Sequence, residues 1–300
     1  MFCKKYFVEK EKINTKYGSV SIEKIEFTPI ELQKVLPKIV LDEENLKYMF
    51  AEPELNNFKR NNIYKRFVPK DYSENVNNEY VANSIKSNKN FYSFLAEGIL
   101  GLVYRDLYNY QLSKGLIDVL DTVNDTHTGV DACMYDRYNN VIILGEAKFY
   151  EDLNSGINKI INDFTNKKIK NKIESLMTAS ENNILSNEIV IKNLEKQNYE
   201  NYTIQEFLNQ KLIFAGFVLH SEQDVSHYGE KTFYDNYYIN SQMLKENIKK
   251  SLEISEIKSD YNITIVHLPI KDKKELIIKV MELANKKLNE MSVENNEWQI

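Results

Sequence analysis

Within the stretch DTHTGVDACMYDRYNNVIILGEAKFYEDL, residues 125–153, a carboxylate and an amine stand two residues apart in an apolar run, at Glu146 and Lys148. Burying either ion unpaired costs several kcal/mol or more, so such residues inside a sheet are paired or functional. In a strand, residues i and i+2 share a face about 6.5 Å apart, so the two side chains serve one surface, with Ala147 opposite. The turn signal DRYNN predicts a hairpin between Thr128–Asp136 and Val141–Phe149, with Arg137 to Asn140 as the loop. That register sets Asp136 against Val141 and Asp131 against Glu146, with directly opposed Cβ atoms about 5 Å apart.

Two carboxylates so close repel unless a cation lies between them. Mg²⁺ takes one or two carboxylates and completes its shell with water and phosphate oxygens, and Mn²⁺ is expected to substitute. A lysine beside that metal would hold or deprotonate a water, or stabilise charge building on a phosphate. Phosphodiester cleavage is the chemistry this set suits best. Glu97 is a fourth candidate and a third metal ligand, placed mid-helix beside Gly98 and one turn before Gly101, two residues that let another backbone approach. Arg105, two turns on, is expected near the same stripe and in reach of a phosphate. A second Glu-x-Lys, Glu256 and Lys258, sits in the polar SLEISEIKSD and reads as a solvated pair.

The remaining candidates concern substrate. Lys159, Lys167, Lys168, Lys170 and Lys172, opposed nearby only by Asp163, form a local basic patch suited to phosphate contacts or to a solvated helix face. His127 borders the proposed site and is a candidate substrate contact. His220, His227 and His267 lack metal-ligand spacing and read as loop or core histidines.

These residues need a scaffold, and the chain can supply one. It has 300 residues, 42% of them hydrophobic, enough for one large domain or two small ones. Lys and Arg number 39 against 44 Asp and Glu, a net charge of -5, so any nucleic-acid surface must be local. Cys3 and Cys133 have no CxxC spacing, which argues against a zinc cluster and fits a reducing compartment. No apolar run suits a signal peptide or a bilayer span, so a cytoplasmic protein without a membrane partner is expected.

Residues 1–85 are expected to form an N-terminal α+β subdomain, with a strand over Tyr17–Phe27 and a helix from Pro29 to Leu36 that Pro37 ends. A polar, Asn-rich linker spans 71–90. Residues 86–300 are the second unit: a helix from Phe91 that stops at Gly115, strands over Leu116–Val123, Thr128–Tyr135 and Val141–Tyr150, and an amphipathic helix N-capped within Asp152–Ser155. A polar insertion near 180–210, strands at Leu212–His220 and Tyr261–Pro269, and a helix from Asp272 to about Asn289 complete it. The fold class is a mixed-sheet α/β (α+β) arrangement.

A helix with Glu97, a strand, a strand with Asp131, a strand with Glu146-x-Lys148 and a helix resemble the core of the PD-(D/E)xK nuclease superfamily, the restriction-endonuclease-like fold. More narrowly, AEGILGLVYRDL, THTGVDACMYD and ILGEAKFYEDLNSGI resemble HamA, the nuclease family of the Hachiman anti-phage defence system, over roughly Phe91 to Phe164. That resemblance implies a DNA endonuclease working with a helicase partner, HamB, and makes Glu97, Asp131, Glu146 and Lys148 its catalytic set. The superfamily's Asp commonly follows a Pro, whereas Val130 precedes Asp131 here. A different reading of the same residues is a non-catalytic scaffold that binds DNA or a helicase and keeps the acidic set for structure; an RNA nuclease is a third.

Overall fold

The computed structural model describes residues 8–14, 16, 18–25, 29–49, 54–68, 72, 90–112, 131–136, 139, 141–164, 212–221, 242–243, 245–250 and 261–297. Its centre is a seven-stranded mixed sheet in the order β1-β2-β7-β6-β5-β4-β3. The strands are β1 Val8–Asn14, β2 Gly18–Ile25, β3 Gln111–Leu112, β4 Ala132–Asp136, β5 Val141–Tyr150, β6 Leu212–Ser221 and β7 Tyr261–Ile270. β2, β7, β6 and β5 run parallel to one another, while β1 joins β2, and β4 and then β3 follow β5, in antiparallel pairing. Parallel strands are covered on both faces, which is why β5, β6 and β7 read as nearly continuous apolar runs. Their burial matches: Phe214 to His220 and Ile265 to Ile270 are buried throughout.

One face carries most of the core. Helices α1 (Pro29–Val40), α2 (Glu43–Met49), α3 (Asn57–Arg66), α4 (Asn90–Tyr108) and α6 (Lys273–Glu297) contribute to it. Ile99, Leu100 and Val103 of α4 meet Ile143, Ala147 and Phe217 there, together with Val280 of α6. The buried Tyr104 hydroxyl lies within hydrogen-bonding distance of the Gly216 carbonyl, 2.9 Å, and of the Thr264 carbonyl, tying α4 to the middle of the sheet. Helix α5 (Leu153–Asp163) covers the other face with Ile157, Ile160 and Ile161, and Phe164 packs on Phe214 at 4.6 Å. Each such side chain contributes about 1.5–3 kcal/mol by leaving water. Asp152 caps α5, accepting the Ser155 N–H at 2.7 Å, as its position before the apolar periodicity predicts.

Two expected helix ends change. Helix α1 runs through Pro37 to Val40. The lost hydrogen bond and ring clash cost about 3 kcal/mol, but Leu36, Val40 and Leu41 all enter the core and outweigh it. Helix α4 ends at Tyr108, not at Gly115, because Asn109 takes φ 59°, the left-handed conformation that stops helices and that Asn tolerates. Residues 1–85 do not hold a core of their own among the described residues. β2 pairs with β7, and Leu36, Leu46 and Ile63 share one core with Leu276 and Val280. The segments Leu116–Val123 and 180–210, most of the expected linker, and Glu256–Lys258 lie outside the described residues.

Candidate active site

The β4–β5 hairpin has the register that the sequence predicts, from Asp136 opposite Val141 to Ala132 opposite Gly145. The ladder stops one residue short of Asp131, whose N–H donates to the Gly145 carbonyl at 3.1 Å. Its Oδ2 accepts the Ala147 N–H at 2.7 Å, so the backbone of β5 fixes the carboxylate. Glu146 is 2% exposed, and Lys148 Nζ lies 3.0 Å from Glu146 Oε2 and 3.7 Å from Asp131 Oδ2. Three residues of the expected set therefore converge, drawn together by strand periodicity and hairpin register.

A fourth carboxylate, unassigned by the sequence, closes the cluster. Asp163, the last residue of α5, puts Oδ2 3.1 Å from Lys148 Nζ. Two glycines let α5 come close enough. A Cβ on Gly216, which is opposite Glu146 in β6, would meet Ile160 at 3.0 Å, and one on Gly156 would meet Val218 at 2.5 Å. A usable signal existed: an acidic residue stands between Ile160 and Phe164 in the last turn, where the helix dipole disfavours negative charge.

Glu97 belongs to the same electrostatic group. Burial pushes its carboxyl up to about 8; the negative charge of Asp131 adds to the rise, and Lys148 opposes it. Near neutral pH it is therefore mainly protonated. Among the described residues no three His, Cys, Asp or Glu side chains form a ready cage for a metal ion. Among the described residues the Lys148 ammonium lies between these carboxylates, and Lys159 reaches Asp163 from outside. The donor chemistry still fits Mg²⁺ or Mn²⁺, because hard carboxylate oxygens are what those ions select and two suffice. Asp131 and Glu146 are the pair that could hold such an ion, with Glu97 available only once ionised.

Arg105 is not brought to this cluster. Its Nε donates to Asp106 at 2.8 Å, its Nη1 donates to Asn45 at 3.0 Å, and its guanidinium lies 4.9 Å from the centre of the Tyr48 ring. Lys159 is exposed and reaches Asp163 Oδ1 at 3.5 Å. His127, Lys167, Lys168, Lys170 and Lys172 lie outside the described residues, as does His227. His220 and His267 are core residues, as the sequence suggested, with Nε2 and Nδ1 3.1 Å apart.

The profile of the HamA family matches residues 30–284. The chain belongs to the HamA family. No curated protein matches the chain. HamA membership makes the chain a component of the Hachiman anti-phage defence system. The matched span takes in Glu97, Asp131, Glu146, Lys148 and Asp163 and extends to both sides of residue 85. No helix among the described residues is long and apolar enough to cross a membrane.

Proposed function

We propose that this HamA chain is a metal-dependent DNA endonuclease of the PD-(D/E)xK type, acting as the effector subunit of a Hachiman complex with the helicase HamB. The observation that carries the reading is the position of Lys148, within 3.0 Å of Glu146 and 3.7 Å of Asp131, at the point where two strands bring opposed carboxylates together. The order α4, β3, β4, β5, α5, β6, with carboxylates on α4 and before β4 and Glu-x-Lys on β5, supports the superfamily assignment.

In this reading Asp131 and Glu146 would hold Mg²⁺, which would supply Lewis-acid polarisation of the phosphate and a more acidic water. Lys148 stabilises charge developing on the phosphate, a preorganised ammonium in a half-buried site. Lys159 and the lysines after it, Lys167, Lys168, Lys170 and Lys172, contact the DNA backbone. The second reading, a DNA- or helicase-binding scaffold, draws on one observation: the ammonium is charge-paired with three carboxylates, as in a structural ion cluster.

Calorimetry with Mn²⁺, paired with cleavage assays on DNA and RNA, separates these. The nuclease binds Mn²⁺ and cleaves DNA, Asp131→Ala removes the binding heat, and Lys148→Ala abolishes cleavage. DNA affinity of Lys148→Ala stays within about threefold of the parent, because a group acting in the transition state contributes more to rate than to ground-state binding. A scaffold gives no heat up to millimolar Mn²⁺, with or without duplex. Cleavage of RNA alone would reassign the substrate.

A further inference from the structure

Asp163 occupies a position that local chemistry disfavours twice. Its side chain is 11% exposed on the sheet-facing helix α5, where an ionised group needs a partner. It is also the final residue of that helix, where the dipole repels negative charge. What it holds in return is Lys148, at 3.1 Å, from helix α5 rather than from the β4–β5 hairpin. Lys148 thus has two kinds of carboxylate neighbour. Glu146 and Asp131, at 3.0 and 3.7 Å, are the groups that the nuclease reading gives to the metal, whereas Asp163 comes from a different element and has no such role.

An ammonium and a divalent cation compete for the same oxygens. While Lys148 leans on Glu146 and Asp131, it screens the charge that attracts the metal. A divalent cation held there would offset the negative charge of those two carboxylates, whereas the Asp163 contact would still favour the lysine. We infer that Asp163 is a positioning residue: it draws Lys148 toward α5, lowering its competition with a divalent cation for Asp131 and Glu146 and keeping it beside the phosphate. The inference rests on the nuclease reading above. Lys159, 3.5 Å from Asp163 Oδ1 and exposed, is a peripheral second partner of the same carboxylate.

The test is Mn²⁺ affinity by calorimetry on four proteins: the parent, Asp163→Asn, Lys148→Met and the double variant. Asp163→Asn weakens Mn²⁺ at least about fivefold where Lys148 is present, the low end of ordinary coupling between sites. In the Lys148→Met background the same change alters affinity by less than about twofold. Equal loss in both backgrounds, or none in either, overturns the inference and returns Asp163 to a packing role. If Asp163→Asn does not fold, Asp163→Glu replaces it; one extra methylene displaces the contact, and the same dependence on Lys148 is expected. A parent that binds no Mn²⁺ overturns the metal reading itself, and this inference with it. Mn²⁺ binding that the variants do not perturb sinks the inference alone.

Discussion

Glu97 couples the middle of α4 to the carboxylate cluster, and its ionisation has a calculable sign. Its folded value, about 8, lies above the ordinary 4.5. Between those values the unfolded chain releases a proton that the folded chain keeps, so stability falls as pH rises through the window and levels off above it. Glu97→Gln removes this contribution. In chelator, the melting temperature of the variant should fall less than the parent's between pH 5 and pH 8.5. Parallel pH profiles would show that Glu97 ionises freely. Asp131, Glu146 and Lys148 were readable because a period of two and one turn fix their faces without tertiary information. Arg105 was misplaced by helical arithmetic: eight residues are about 2.2 turns, which rotates it roughly 80° from Glu97, toward Asn45 and Tyr48. Asp163 escaped because four residues from Lys159 it reads as an ordinary helix-surface ion pair, and only packing of α5 on β6 brings it to Lys148.

At the scale of elements, α5 is the part that the site depends on most, and its approach to the sheet is set by Gly156. A Cβ there would stand 2.5 Å from Cγ1 of Val218, a fully buried β-branched side chain with little rotamer freedom. Overpacking of this kind costs about 1–3 kcal/mol, against a helix-propensity gain from Gly to Ala of about 1 kcal/mol. Gly156→Ala is therefore expected to lower the melting temperature, by roughly 2–4 °C for each net kcal/mol in a chain of this size. Adding Val218→Ala to Gly156→Ala should cost less than Val218→Ala costs alone, since the new methyl fills the space it opens. Additive losses in the double variant would mean that α5 does not touch β6 at this glycine. Element existence was mostly legible, since β5, β6, β7 and α5 follow clear apolar patterns. Element ends were less so: Asn109 stopped α4 before Gly115, and Pro37 failed to stop α1, each decided by backbone conformation or core burial rather than by residue type.

At the scale of the whole molecule, the expected division near residue 85 meets a continuous sheet and a shared core. Composition showed a polar Asn-rich stretch there, but composition cannot report which strand β2 joins. It joins β7 in parallel, far along the chain, with the two backbones so close at the start that a Cβ on Gly18 would fall 1.8 Å from the Tyr261 carbonyl oxygen. Leu36, Leu46, Ile63 and Phe67 are buried to 1% exposure or less in the core that α6 completes. A chain beginning at residue 86 would lose these side chains, leave one edge of β7 unpaired and uncover the apolar face of α6. Such an edge and such a surface are aggregation hazards. The full chain is expected to unfold in one transition that coincides by far-ultraviolet circular dichroism and by tyrosine fluorescence, whereas residues 86–300 alone should be insoluble or melt without cooperativity. If instead the 86–300 chain is soluble and melts sharply near the parent's temperature, the first 85 residues are a separable subdomain after all, and the pairing of β2 with β7 contributes little to stability.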